Sequence, residues 1–378
     1  MPKSKKTLKN ILIFTAIAVF AIAIFIPLKI SKAKDINLTV IANNKNYNFY
    51  SEEIGRYNGK LYLKKASQIV DGIYLDTVKR EKNATITFNP NNESIFNITS
   101  EALGYEVDKA QLIEDISSAL NSGESKVFAQ FNEIKPKITK SELQKETNLR
   151  ASFTTYYSSS PQNRKENIKL ASSKINGTIL SANEEFSFNE IVGVRNEENG
   201  FLPAKIIYNG DFVEGVGGGV CQVSTTLYNA SLLCGLKITE HHPHSLSVSY
   251  VEPSFDAMVN SYSSDLKFVN NTGGRLYIKS IADDNRIKIS FYGLKQAETY
   301  ERVSVKREET PYLEYLYEDD ESLPIGSQIT VREPKESLKS EGYLIKYVNG
   351  ERVANVKIRS DSYSGVKGLI KIGKSKQP

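Results

Sequence analysis

Cysteine and histidine are scarce in this chain, whose 378 residues contain two cysteines and three histidines. No C-x-x-C pair is present, so the commonest ligand spacing of a structural zinc site is missing. Cys221 and Cys234 are predicted to lie at the two ends of one helix, roughly 20 Å apart at the usual helical rise and too distant for a disulfide. We therefore expect two free thiols, with Cys234 in the core and Cys221 available for use.

Acidic residues are absent from positions 1–34, which carry seven lysines. Between these lysines, an apolar run from Ile11 to Leu28 is interrupted only by Thr15 and Pro27. At about 1.5 Å per residue the run is long enough to cross a bilayer, and the lysines before it favour a cytoplasmic N-terminus. We expect residues 1–34 to form a cytoplasmic tail and a single-pass anchor in the cytoplasmic membrane, with the rest of the chain facing the cell wall. A cleaved signal peptide is the alternative.

The net positive charge comes from this N-terminal segment. Of the 49 basic residues seven lie in the first 34 positions, so 42 basic residues stand against 44 acidic ones in the remainder. A chain with this balance lacks the basic surface that nucleic acid binding requires. We therefore predict no nucleic acid partner.

Glycine is concentrated just before the first cysteine, at Gly215 and Gly217–Gly219. Glycines without side chains allow the backbone to approach a ligand closely. After Cys221 the apolar residues recur at helical spacing as far as a stop signal at Gly235. The thiol would then lie at a helix N-terminus, where free N–H groups and the helix dipole stabilise a thiolate. Cys221 is a candidate nucleophile, and an inert cysteine packed at a helix start is the alternative.

All three histidines lie between positions 241 and 244. Pro243 excludes a helix there and favours an extended backbone. Alternate side chains of such a backbone share a face, so His242 and His244 would point one way and His241 the other. A strand packed beside the cysteine helix would bring this pair towards Cys221. A thiol with an imidazole base is the minimum for acyl transfer through a covalent intermediate.

Two stretches carry a family resemblance, GVGGGVCQVSTTLYNA from Gly215 and EHHPHSLSVSYVEP from Glu240. Together with Ser159-Ser-Pro-Gln-Asn-Arg164 and Glu185-Phe-Ser-Phe-Asn189, they resemble the VanW domain of bacterial cell-envelope proteins, and the similarity runs from about 151 to 293. Some members that carry this domain behind a peptidoglycan-binding-like domain act as L,D-transpeptidases. The resemblance therefore implies an enzyme that modifies peptidoglycan.

Residues 35–148 are expected to form a first domain outside the membrane. A helix is predicted between the N-cap Asp108 and Gly123. The segment from Phe96 to Asp108 and this helix resemble the peptidoglycan-binding domain often found before transpeptidase domains, which implies that peptidoglycan is a partner. Plain core and surface roles for its aromatic and polar residues are the alternative. Strands are predicted at 37–42, 60–63, 84–88 and 127–131.

Residues 149–295, the VanW-like region, read as an α+β domain. A strand is predicted over 151–157, a helix over 162–175 and a hairpin-like segment over 177–180. Asn163 and Arg164 are candidates to bind a substrate carboxylate, and a helix-start Asn beside a solvated Arg is the alternative. Asp256 is a candidate to orient a histidine or else to cap a turn. Further strands are predicted at 249–251, 266–269, 276–281 and 287–291. The candidate substrate-binding residues are Gly217, Gly218, Gly219, Gln222, Ser224, Thr225, Asn163 and Arg164.

Residues 299–378 are predicted to form polar strands separated by acidic loops such as 318–321. The stretches 318–326, 346–353 and 370–373 resemble a G5 domain, a small all-β module common on bacterial surface proteins. Its glycines are sparser here than in that pattern. The whole chain is thus predicted to be a membrane-anchored multidomain α+β protein with an all-β C-terminal module.

Three functions fit these residues. In the first, which the family resemblance favours, Cys221 attacks a donor stem peptide to give a thioester that an acceptor amine resolves into a 3-3 crosslink, with His242 or His244 as base and no cofactor or metal. N–H groups near 219–222 would hold the oxyanion. In the second, the glycine loop binds a stem-peptide carboxylate without chemistry. In the third, Cys221, His242 and His244 ligate zinc, although no fourth ligand is recognisable.

Overall fold

The computed structural model describes residues 36–208, 211–310 and 314–375. The predicted anchor at 11–28 lies outside this range. No helix among the described residues is long and apolar enough to cross a membrane.

Two compact units make up the described chain. One consists of residues 36–79 with 105–132, and the other of residues 80–104 with 133–375. The predicted VanW domain and the predicted C-terminal module lie together in the second unit, as do residues 133–148. Both helices and strands are present, and strands predominate.

The first unit is built around β1, which pairs antiparallel with β2 and parallel with β8. Leu38 and Val40 of β1 are fully buried against Leu112 and Ile116 of α2. The N-terminal part of the chain has these elements in order: β1 Ile36–Ala42, β2 Lys45–Tyr50, β3 Ile54–Tyr57, β4 Lys60–Leu63, α1 Ala66–Thr77, β5 Thr85–Phe88, β6 Phe96–Thr99, β7 Gly104–Val107, α2 Lys109–Ser122, β8 Lys126–Phe128 and β9 Phe131–Ile134.

The predicted helix of the first unit is confirmed with its caps. The Asp108 side chain accepts a hydrogen bond of 3.0 Å from the Gln111 N–H at the start of α2, and Gly123 ends the helix with a φ of 84°. Both features satisfy backbone groups that a helix end leaves unpaired. Helix α1 was not predicted, because its N-cap Lys65 provides no capping side chain.

The second unit has a four-stranded antiparallel sheet in the order β10-β18-β17-β11. Helices α4 and α6 pack on this sheet and on each other. Helix α4 has the predicted bounds. The elements in order are α3 Lys140–Gln144, β10 Asn148–Tyr156, α4 Gln162–Ile175, β11 Ile179–Leu180, β12 Glu185–Ser187, α5 Phe188–Val192, β13 Pro203–Tyr208, β14 Asp211–Val216, α6 Val220–Leu233, β15 Lys237–Glu240, β16 Lys267–Val269, β17 Leu276–Ala282 and β18 Arg286–Gly293.

The C-terminal strands form two three-stranded sheets, β19-β22-β23 and β20-β24-β21. Leu344 of β22 and Ile358 of β23 pack against the core that surrounds α6. The strands are β19 Glu298–Thr310, β20 Tyr315–Pro324, β21 Gln328–Arg332, β22 Ser337–Val348, β23 Glu351–Tyr363 and β24 Gly368–Ser375. The acidic run 318–321, predicted as a loop, lies inside β20, where Glu318, Asp319 and Glu321 are exposed and Asp320 is half-buried, so the charges stay in contact with solvent.

Several local predictions are wrong. The histidines at 241–244 follow β15 in an irregular segment and not in a strand, and residues 249–251 are also irregular. Residues 177–180 do not form a hairpin, because β11 pairs with the distant β17. The hairpin of β13 and β14 just before the glycine stretch was not predicted.

Candidate active site

Cys221 is the second residue of α6, as the sequence predicted. Strand β14 ends at Val216, Gly217–Gly219 form a turn, and Gly219 is the N-cap of the helix. The helix residues on either side of Cys221 are buried, whereas Cys221 itself is half-buried. The helix start therefore presents this one thiol at the edge of an otherwise closed core. Cys234, at the far end of the helix, is a buried free thiol.

The glycines serve packing as well as conformation, and their role in letting a ligand approach the backbone stays a prediction. A Cβ on Gly218 would lie 2.7 Å from the Lys205 carbonyl oxygen of β13. Gly219 has a φ of 106°, and a Cβ there would lie 2.9 Å from Arg164 Cγ and 3.0 Å from Ile168 Cγ1 of α4. The absence of side chains thus lets the turn fit between β13 and α4, which fixes where α6 begins.

His244 is the histidine that interacts with the thiol. It follows β15 in the irregular segment and is only 6 % exposed. Its Nδ1 lies 2.7 Å from Asp256 Oδ2, so Nδ1 carries the proton because an ionised carboxylate only accepts. The ring interacts electrostatically with Cys221, whose thiol donates to the Val259 carbonyl at 3.3 Å.

Asp256 holds His244 at two points. Its Oδ2 accepts from the backbone N–H of His244 at 2.6 Å and from Nδ1 at 2.7 Å. Its Oδ1 accepts from the hydroxyl of Tyr363 at 2.6 Å. With 1 % exposure and each oxygen bonded, Asp256 orients the imidazole, the first of the two roles considered for it. Thiol, imidazole and carboxylate thus form a continuous row.

The row is electrostatically coupled. Burial alone would raise the pKa of the Cys221 thiol, but the hydrogen bond and charge of His244, with a smaller contribution from Arg195, lower it below its ordinary value. Burial would lower the pKa of His244, yet Asp256 and Cys221 together raise it to about 9. Burial likewise opposes ionisation of Asp256, and His244 and Arg359 nevertheless keep its pKa low. The arrangement favours a thiolate–imidazolium pair.

His242 and His241 face elsewhere. The Nε2 atom of His242 lies 3.0 Å from Glu240 Oε1, and the ring of His241 stacks on Tyr228 with centroids 5.4 Å apart. The expectation that His242 and His244 share a face is therefore wrong, because the segment is irregular and side chains do not alternate along it. Burial lowers the pKa of His241 to about 4.

Most of the predicted substrate-binding side chains have internal partners. Gln222 is buried, and its amide nitrogen donates to Thr155 Oγ1 and to the Tyr156 carbonyl, both at 3.0 Å. The buried hydroxyl of Ser224 donates to the Ala257 carbonyl at 2.6 Å. Thr225 accepts from the Ala257 N–H at 3.0 Å, and Asn163 donates to the Pro203 carbonyl at 3.0 Å. These side chains hold the site together from within the fold.

Arg164 lies close to the thiol. It donates to Gln222 Oε1 at 2.7 Å and to Ser160 Oγ at 2.9 Å. Burial lowers its pKa, and the charges of Tyr250 and Cys221 act in the opposite direction. The guanidinium is therefore a cation beside Cys221, and its role as a ligand for a substrate carboxylate stays a prediction.

Four residues of the site were not predicted from the sequence: Arg195, Tyr250, Arg359 and Tyr363. Arg195 lies in the irregular segment after α5, and its positive charge lowers the pKa of the Cys221 thiol. Burial and the neighbouring charge of Cys221 raise the pKa of Tyr250. No pattern in the sequence marks the other two, which lie over 100 positions from the residue they contact, Asp256.

No cluster of three or more histidine, cysteine, aspartate or glutamate side chains suited to a metal ion occurs in the part of the chain that the structure describes. The three residues weighed as zinc ligands are separated, since His242 engages Glu240 while His244 engages Asp256.

Two family models match the chain. Residues 163–292 match the family described as "VanW like protein", and residues 33–129 match the "Putative peptidoglycan binding domain". Both resemblances identified in the sequence are confirmed.

Two curated proteins and three solved structures illustrate these similarities. The chain is 34 % identical over 192 residues to the uncharacterized protein YoaR of Bacillus subtilis (strain 168), covering 50 % of this chain and 63 % of that protein. It is 27 % identical to the vancomycin B-type resistance protein VanW of Enterococcus faecalis (strain ATCC 700802 / V583), covering 38 % of this chain and 54 % of that one. The chain thus spans less than two thirds of the length of these relatives.

Solved G5 domains are among the similar structures. The G5 domain of IgA1 protease is 18 % identical with a TM-score of 0.15 and covers 21 % of this chain and 92 % of that one. HP0197-G5 is 23 % identical with a TM-score of 0.12 and covers 21 % of this chain and 100 % of that one. The Ldtfm–avibactam carbamoyl enzyme is 9 % identical with a TM-score of 0.18 and covers 48 % of this chain and 70 % of that one.

Proposed function

We propose that this chain is a cysteine acyltransferase acting on peptidoglycan. A cell-wall-related role is supported by the match of residues 163–292 to the VanW-like family and of residues 33–129 to the peptidoglycan-binding family. The reaction we propose is L,D-transpeptidation, which joins two stem peptides by a 3-3 crosslink. The observation that carries the proposal is the row of Cys221, His244 and Asp256 at the start of α6.

The first half of the reaction forms a thioester. The Cys221 thiolate attacks the carbonyl carbon before the terminal residue of a donor tetrapeptide, and a C–S bond forms. The amide C–N bond breaks, and the terminal amino acid leaves as an amine that takes the proton of the His244 imidazolium. Asp256 accepts from Nδ1–H throughout, so the proton that the imidazolium gives up is the one on Nε2, and the neutral ring that remains can act as a base through the same nitrogen.

The second half returns the enzyme to its starting state. The amine of an acceptor stem peptide loses a proton to neutral His244 and attacks the thioester. A new amide C–N bond forms, the C–S bond breaks, and the thiolate–imidazolium pair is restored. Water in place of the amine would give hydrolysis instead.

The developing oxyanion needs a hydrogen-bond donor. The N–H groups of Val220 and Gln222 already donate to the carbonyls of Gly217 and Gly219. Cys221 is in the first turn of α6, where N–H groups have no intrahelical partner. We assign the Cys221 N–H as the oxyanion donor, assisted by the helix dipole. Arg164 and the turn at Gly217–Gly219 would hold the donor peptide.

The site requires access to the cell wall. Within residues 1–34, the apolar run at 11–28 would supply a single-pass anchor preceded by a short cytoplasmic tail, which would leave the catalytic unit outside the membrane. Membrane fractionation of the full-length chain, compared with a version that lacks residues 1–34, tests this anchor. Release of both forms into the soluble fraction would contradict it.

Product analysis tests the proposed reaction. Purified full-length chain is incubated with a disaccharide-tetrapeptide, and the muropeptides are separated and identified by mass spectrometry. We expect 3-3 crosslinked dimers from the wild type and from His242→Asn, and none from Cys221→Ala or His244→Asn. The matched histidine variants separate the ring that contacts the thiol from its neighbour on Glu240.

A wall-binding role without chemistry is the competing function, favoured by the match at 33–129. Unchanged muropeptides together with saturable binding that Cys221→Ala retains would establish it and overturn the proposal.

A further inference from the structure

Two side chains of the C-terminal sheet β19-β22-β23 form hydrogen bonds with Asp256, the residue whose carboxylate orients His244. The Tyr363 hydroxyl, at the end of β23, donates to Asp256 Oδ1 at 2.6 Å. Arg359, also on β23, donates through Nη1 to the Asp256 backbone carbonyl at 2.5 Å and approaches Oδ1 through Nη2 at 3.5 Å. Both contacts are buried.

The same sheet also holds the chain around Asp256. The Tyr363 oxygen accepts from the Ser254 N–H at 2.8 Å, and the Ser254 hydroxyl pairs with that of Ser340 on β22 at 2.6 Å. Ser254 has a φ of 65°, which is costly for a residue with a side chain and needs support from its surroundings. The N–H of Ser364 donates to the Ser245 carbonyl at 2.8 Å, directly after His244.

Arg359 is itself fixed by a second carboxylate. Its Nε and Nη2 donate to the two oxygens of Asp361 at 2.6 and 3.0 Å. The guanidinium therefore has a defined orientation when it meets Asp256, and buried charges held in this way act strongly because little water screens them.

We propose that Tyr363 and Arg359 are positioning residues of the active site, so that the C-terminal module is part of the catalytic unit. Both act through Asp256, which fixes the His244 ring that protonates and deprotonates the reacting groups. The inference deepens the proposed function and takes its catalytic meaning from it.

Alkylation of Cys221 tests the positioning without any peptidoglycan substrate. Full-length protein is treated with iodoacetamide from pH 5 to 10, and the modified cysteine is identified by peptide mass spectrometry. Cys234 gives little background because it is buried. The variant is Tyr363→Phe. Its control is Tyr347→Phe, which loses a hydroxyl bonded to exposed Glu301 on the same sheet.

We expect Tyr363→Phe to shift the pH profile of the Cys221 alkylation rate to higher pH. If the thiol pKa rises by one unit, the alkylation rate at pH 6.5 should fall about tenfold. The rates should converge with the wild type at pH 10, which a loss of access to the thiol would not produce. Tyr347→Phe should follow the wild-type profile. Superposable profiles for Tyr363→Phe and wild type, or an equal shift in the control, would overturn the inference.

A double-variant cycle keeps the inference testable even if Tyr363→Phe loses stability. In an Asp256→Asn background, adding Tyr363→Phe should produce no further shift, because the residue acts through that carboxylate. A further shift of the same size would contradict the inference. In crosslinking assays of the single variant Tyr363→Phe, we expect kcat to fall with little change in KM. Absence of crosslinking by the wild type would overturn the proposed function and leave the alkylation result interpretable.

Discussion

At the scale of single residues, the site depends on which side chains meet the Cys221 thiol. Scarcity of histidine and cysteine singled out Cys221 and a cluster that contains His244. The sequence could not decide between His242 and His244, because in the extended backbone that Pro243 favours both side chains would share a face. The segment is irregular in the structure, and only His244 interacts with the thiol. From the sequence, Asp256 could either orient a histidine or cap a turn, and the structure places its carboxylate 2.7 Å from His244 Nδ1.

The coupled pKa values of Cys221 and His244 predict a bell-shaped pH dependence of crosslinking. The acid limb reports formation of the thiolate, at a pH below that of an ordinary cysteine. The alkaline limb should lie near pH 9, where His244 loses the proton that the leaving amine requires. Initial rates of crosslink formation between pH 5 and 10 measure both limbs. A rate that still rises above pH 9 would contradict this role of His244.

His241 predicts an effect on stability in acid. Its pKa is lowered from 6.5 to about 4 in the folded chain, so the unfolded chain binds more protons between these values. The contribution of His241 to the free energy of unfolding must then increase as the pH rises from about 4 to 6.5. Replacing His241 by Phe keeps an aromatic ring against Tyr228 and removes the titration. We expect the urea midpoint of His241→Phe to fall less than that of the wild type between pH 6.5 and 4. Parallel curves would show that His241 does not contribute.

At the scale of elements, helices with local start signals were predictable and others were not. Helix α2 has the Asp108 cap, and α4 has its apolar face over the predicted bounds. Helix α1 begins after Lys65 in a left-handed conformation without a capping side chain, so nothing in its sequence marks the start. Strand β11 pairs with β17 nearly 100 positions later, and pairing of that range cannot be inferred from local patterns.

The turn before α6 makes a prediction about its glycines. Gly219 and Gly273 both have positive φ, but a Cβ would be crowded at Gly219 and free of neighbours at Gly273. Gly273→Ala should therefore cost about 1 kcal/mol from backbone strain alone. Gly219→Ala should cost at least about 2 kcal/mol, since overpacking against Arg164 and Ile168 adds to the strain. Urea unfolding of both variants provides the comparison, and equal losses would indicate that the turn tolerates a side chain.

At the scale of the whole molecule, the sequence suggested a C-terminal module separate from the catalytic domain. The structure instead places both in one unit. Arg302 of β19 lies over the rings of Phe153 and Phe255, with its guanidinium 4.2 and 4.8 Å from their centroids, and donates to Asn229 of α6 at 2.5 Å. Such contacts join residues far apart in the chain, which explains why motif spacing did not reveal them.

Because the C-terminal strands and the catalytic domain share one core, we expect their backbone amides to open to solvent in the same unfolding event. In hydrogen exchange of the full-length chain, amides of β22 and β23 should open with the same free energy as those of β17 and β18, because one core joins them. Strand β20, whose side chains are exposed or half-exposed throughout, should exchange faster and serves as an internal control. Exchange of β22 and β23 at the rate of β20 would show that the module opens independently of the catalytic core.

The most direct test of the account is detection of the Cys221 thioester. Full-length chain is incubated briefly with a tetrapeptide donor whose acceptor amine is acetylated, so that no amine can resolve the thioester and only slower hydrolysis competes. The intact protein is then weighed by mass spectrometry. We predict a mass gain equal to the donor minus its terminal amino acid, lost on treatment with hydroxylamine and absent from Cys221→Ala. The same adduct on Cys221→Ala, or an adduct on the wild type that hydroxylamine does not remove, would contradict the account.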